Sequence, residues 1–131
     1  MRSLPLIALT GVAFVAGTTA AVGQDQMLPA TGVYNCPIET MSRCIDGKCE
    51  TRTPPKGMEV SIDFSNNSAC IRRGGDCRKP RAFTVSARGK SHLLIFAKEG
   101  MVFRLRPNGH LTGADLSSRG AVAVTARCAR G

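Results

Sequence analysis

Six cysteines, two histidines and a dense run of arginines and lysines are the residues of this chain that could do chemistry. Cysteine can ligate a metal, attack as a thiolate or form a disulfide. A metal site is poorly served, because no C-x-x-C occurs and His92 and His110 have no ligand partners nearby in sequence. An even cysteine number behind an export segment reads instead as a disulfide framework made in an oxidising compartment. A sulfur tied up in a disulfide is not a nucleophile. The chain has no G-x-S-x-G elbow, no P-loop, no G-x-G-x-x-G after a strand and no H-E-x-x-H. Its carboxylates are few, and no two are spaced for shared acid–base work. Both histidines read as surface or strand residues. The expectation is a protein that is not an enzyme and uses no metal or cofactor.

The export segment is residues 1–23. Arg2 gives a positive start, Leu4 to Ala16 is almost wholly apolar, and small residues from Thr18 to Gly23 close the segment. That is the layout of a secretory signal peptide, and the apolar run is shorter than the roughly 20 residues that a membrane span needs. Its removal leaves 108 residues, 24–131, as one domain with all six cysteines and no transmembrane span. A domain of that size buries a modest core and gains from cross-links. The expected location is periplasmic or secreted.

Charge is the second signal. Without Arg2, 17 lysines and arginines face 9 aspartates and glutamates, a net charge of +8. Between Arg72 and Arg106 lie ten cations and two anions. The stretch Ala69–Arg81 is the densest part, with Arg72, Arg73, Arg78, Lys79 and Arg81 gathered around Cys70, Gly74, Gly75 and Cys77. A field of one sign favours anionic partners, such as an envelope component or an acidic protein; the plainer reading is a solvated basic surface. One tyrosine and no tryptophan leave no stacking platform for single-stranded nucleic acid, so no specific nucleic-acid site is expected.

Cysteine spacing then points to the elements that must hold these residues. In Cys44-Ile45-Asp46-Gly47-Lys48-Cys49, Asp-Gly is a preferred type I′ turn pair, and it sets Cys44 opposite Cys49 within disulfide reach. A turn centred on Arg73-Gly74 would likewise set Cys70 opposite Cys77 as a clipped hairpin. Cys36 and Cys128 remain, near the two ends of the mature domain, and joining them removes the most unfolded-state entropy. Fifteen pairings are open to six cysteines, and this set follows from turn geometry.

The rest of the chain alternates strands and turns. Met58 to Ser65 is the clearest strand, with Met58, Val60, Ile62 and Phe64 on one face, and Asn66-Asn67-Ser68 turns the chain. A strand from Thr31 to Cys36 is expected to break at Pro37, with a second short strand over Ile38–Cys44. His92–Lys98 reads as a strand buried on both faces. Met101, Phe103 and Leu105 share one face, as do Val122, Val124, Ala126 and Cys128. Gln24–Thr31 reads as a frayed leader. No helical apolar period occurs after residue 23. Short strands at close spacing predict an all-β fold, a small antiparallel β-sandwich or barrel stapled by three disulfides.

Two resemblances extend this reading. Cys70-Ile71-Arg72-Arg73-Gly74-Gly75-Asp76-Cys77, Gly100 to Gly109 and Val122 to Cys128 resemble small exported six-cysteine proteins of proteobacteria. That likeness covers most of the mature chain; it implies a periplasmic β domain and brings no known activity. Tyr34-Asn35-Cys36, Ser86-Ala87-Arg88-Gly89, Leu94 to Gly100 and the late Cys128 are similar in order to the periplasmic or membrane-bound inhibitors of C-type lysozyme, which are small β-barrels. The likeness implies that Ser86 and Lys98, on two loops, would enter a lysozyme cleft. This chain departs from that pattern in Glu99 between Lys98 and Gly100, in four further cysteines and in its basic charge, which opposes a basic lysozyme. The other reading of Ser86 and Lys98 is ordinary strand-end residues. The leading functional expectation is therefore a binding or structural domain acting through the basic face, with lysozyme-type inhibition as the alternative.

Overall fold

The computed structural model describes residues 26–115 and 121–131. The export segment 1–23 and the Ser117–Gly120 loop lie outside the described residues. The described chain is all β, with eleven strands: β1 Val33–Ile45, β2 Lys48–Arg52, β3 Met58–Asp63, β4 Ser68–Arg73, β5 Arg81–Ala82, β6 Thr84–Arg88, β7 Ser91–Phe96, β8 Met101–Leu105, β9 His110–Asp115, β10 Ala121–Arg127 and β11 Ala129–Arg130. They form one sheet in the order β5-β4-β3-β1-β10-β9-β8-β7-β6, with β2 and β11 added to β1. The two ends of that path, β5 and β6, are separated in sequence only by Phe83. The antiparallel sheet thus curls almost completely into a small barrel.

Alternation supplies the core. On β7, His92, Leu94 and Phe96 are buried while Ser91, Leu93 and Ile95 face outward, so this strand is buried on one face rather than two. Its register partners Phe103 and Leu105 on β8, with Leu111 on β9 and Val124 and Ala126 on β10, complete the interior. Phe64, Phe83, Phe96 and Phe103 form a chain of ring contacts at 5.5–5.7 Å between centroids, in edge or tilted arrangements that aromatic quadrupoles favour. Gly113 lies opposite Phe103, and a Cβ there would run into the Phe103 ring.

Pro37 does not break β1. It sits with its side exposed, opposite Glu59 of β3, and the strand continues through it to Ile45. The irregularity falls just after it, where the pairing with β10 shifts between Ile38 and Thr40. A proline removes one ladder donor, and bulged positions are where sheets tolerate that loss. The shift also lets both Ile38 and Met41 point inward.

Residues 26–31 are not frayed. Tyr34 Oη donates to Pro29 O at 2.8 Å, and His92 Nε2 lies 2.6 Å from Leu28 O. Arg130 Nη2 donates to Thr31 O at 2.9 Å, and Leu28 packs on the core. These contacts strap the segment over one end of the barrel. The Cys36–Cys128 disulfide, with Cys36 buried and Cys128 half-buried, joins cysteines 92 residues apart.

Candidate anion-binding loop

The site is built from the β3–β4 hairpin upward. Asp63 Oδ1 accepts from Ser65 N at 2.8 Å, and Asn67 takes φ 48°, so the chain reverses between Asp63 and Ser68. The resulting register sets Glu59 against Arg72 and Met58 against Arg73. Neighbours along a strand point to opposite faces. Arg72 and Arg73 therefore part company, although they are adjacent in sequence.

Arg72 is committed to the structure. Its Nε donates to Glu59 Oε1 at 2.7 Å, its Nη1 to Gly75 O at 3.1 Å and its Nη2 to Asn35 Oδ1 at 3.2 Å. Its side chain is 26% exposed. The guanidinium fork, with donors fixed in one plane, suits such a three-way tie between strands and loop. Arg81 pairs at 3.7 Å with Glu99, from the β7–β8 turn, and remains about half exposed.

The remaining three cations are different. Arg73, Arg78 and Lys79 are exposed, and they make no ion pair with any described residue. With Ile71, Arg72, Gly74 and Asp76 they line an open depression of about 430 Å³. Arg73 ends β4, and the loop that follows it, residues 74–80, carries Arg78 and Lys79 and is fastened by Cys70–Cys77 and by Arg72 at Gly75. Gly74 and Gly75, at φ 74° and 68°, take a conformation that other residues adopt at a cost.

The three expected cysteine pairs are the three that form. The Cys44–Cys49 hairpin also matches in detail: Cys44 faces Cys49, Ile45 faces Lys48, and Asp46 and Gly47 both take positive φ. Cys70–Cys77 does not clip a hairpin across two strands. β4 pairs with β5 only through Ser68–Ala82 and Ala69–Arg81, so Cys77 belongs to the connecting loop. Too few cross-strand partners remain beyond Ala69 to carry a tight turn at Arg73-Gly74. The loop instead folds back on Cys70, which is 6% exposed.

Of the five basic-face residues, the structure brings four to the depression and leaves Arg81 outside it. Ser86 and Lys98 are not brought together on loops. Ser86 sits inside β6 opposite Leu93, whereas Lys98 is in the turn after β7. Sequence reasoning grouped Arg72 with its neighbours. The signal that separates it was present, since a turn at Asn66-Asn67 fixes the hairpin register that delivers Glu59 to Arg72.

No protein-family model, curated protein or solved structure matches the chain.

Proposed function

We propose that this protein is an exported binding domain, periplasmic or secreted, that engages an anionic envelope component or an acidic protein through Arg73, Arg78 and Lys79. The observation that carries the reading is the division of labour within one loop. Arg72 and Arg81 are neutralised by Glu59 and Glu99, while the three other cations stand unpaired around one depression. Unpaired like charges close together repel, so their clustering costs stability. A counter-charge from outside relieves that cost. The three disulfides support an oxidising location, and among the described residues no helix is long and apolar enough to cross a membrane.

Co-sedimentation with vesicles containing phosphatidylglycerol, repeated across a salt series, tests the reading. Binding should fall steeply as salt rises, because exposed charges are screened beyond about 8 Å at physiological ionic strength. Binding that does not decline with salt counts against it.

A further inference from the structure

The end of the barrel away from the 26–31 strap carries a second groove, which adjoins the basic loop through the Met58–Arg73 pair but has its own lining. Residues paired across strands share a face. Met41 pairs with Arg52 across β1 and β2, Met58 with Arg73 across β3 and β4, and Arg43 with Val122 across β1 and β10. The inward face of the barrel therefore changes character toward this end. Deep positions such as Ile38, Val60 and Val124 are buried, Met41, Met58 and Val122 are half-buried against the core, and arginines stand at the rim. The shift after Ile38 is what brings Met41 and then Arg43 onto this face.

Met41, Met58, Val122 and Pro55 line an open groove of about 530 Å³ here, between the β1–β2 hairpin and the 53–57 connection. That volume lies within the range of roughly 300–1,000 Å³ typical of small-molecule sites, which are often found in barrel mouths. Two methionines give walls that adapt to a flexible chain. The charged residues lining the groove, Arg43 and Arg52, are both cationic. Glu50 does not line it; it stands opposite Arg43 across β1 and β2 and is engaged with Arg52 at 3.2 Å. Arg43 is exposed and makes no ion pair with a described residue.

We propose that this mouth binds an amphiphile with one apolar chain and an anionic head, such as a fatty-acid anion. The chain enters between Met41, Met58 and Val122, and the head stays at the rim beside Arg43. A guanidinium can meet a carboxylate with two parallel hydrogen bonds, and the partly solvated rim spares the head full desolvation.

Methionine-methyl NMR of the oxidised protein titrated with dodecanoate, below its micelle concentration, tests this. The Met41 and Met58 methyls should shift saturably with one-to-one stoichiometry, while Met27, exposed on the strap, stays still. Dodecyltrimethylammonium should bind at least about fivefold more weakly, and Arg43→Gln should remove about two- to fivefold of dodecanoate affinity, the range for one exposed ion pair. Met58→Gln should weaken both probes; should it fail to fold, Arg43→Gln at an exposed position keeps the test decisive. Equal affinity for the two head charges, absence of saturable shifts, or shifts as large at Met27 would overturn the proposal. Shifts that follow protein concentration rather than probe would assign the mouth to a second copy of the chain and overturn it too.

Discussion

The β1–β2 turn and the β4–β5 connection are each closed by a cysteine pair beside glycine, yet the chain between the cysteines is held in different ways. In the first, strand pairing runs up to the turn and Asp46-Gly47 completes it. The disulfide there joins two strands that the ladder already holds in register. In the second, the ladder between β4 and β5 stops at Ala69–Arg81, and the seven residues 74–80 after β4 have no strand partner. Their position rests on Cys77 and on the Arg72 bond to Gly75 O. A covalent tie that duplicates a ladder adds stability alone, whereas a tie that replaces one sets the shape of a loop. The loop so shaped follows Arg73 and carries Arg78 and Lys79.

That contrast can be broken at graded points. Cys36–Cys128 sets the scale, since it closes a loop of nearly the whole domain. Cys36→Ala with Cys128→Ala should cost roughly 4–5 kcal/mol, read by denaturant unfolding. That is enough to leave a domain of this size marginal, because total stability is commonly about 5–15 kcal/mol. Next comes the comparison itself. Cys70→Ser with Cys77→Ser should cost roughly 2 kcal/mol and should also weaken anion binding about three- to tenfold, because a pre-organised loop becomes an ensemble. Cys44→Ser with Cys49→Ser should leave anion binding unchanged. Equal effects of the two pairs on binding would dissolve the distinction. The smallest effect belongs to Arg72. Arg72→Gln should cost about 1 kcal/mol, as a partly solvated ion pair does, with faster amide exchange confined to residues 74–80.

Much of this was legible in the sequence. Met58 to Asp63 alternates cleanly, and Asp46-Gly47 names its turn type, so the strands follow from period and the Cys44–Cys49 disulfide from turn chemistry. What was not legible depends on partners distant in the chain. Pro37 looks like a strand breaker because its missing donor is a local fact, whereas its place opposite Glu59 of β3, which carries the strand through it, depends on a partner distant in sequence. The leader looks frayed because Leu28 and Pro29 are held by His92 and Tyr34, contacts that no local pattern announces. Cys77 looks like a hairpin residue because spacing shows the distance along the chain and not where the ladder ends. Within the candidate site, charge density was visible, but which cations are free was not. That depends on Glu59 and Glu99 arriving from β3 and the β7–β8 turn.

Two readings of the basic surface remain opposed, a built site or a general positive field, and a comparison at equal net charge separates them. Arg73→Gln, Arg78→Gln and Lys79→Gln in one variant remove three charges from the loop. Arg88→Gln, Lys90→Gln and Lys98→Gln in another remove three from the β6–β7 and β7–β8 turns. The measurement is binding of each to phosphatidylglycerol vesicles at one fixed ionic strength. At about 1 kcal/mol per cation near an anionic surface, the loop variant should lose about a hundredfold in affinity while the turn variant stays close to the unaltered protein. Equal losses in the two would contradict the account and reduce the loop to one part of a solvated basic surface.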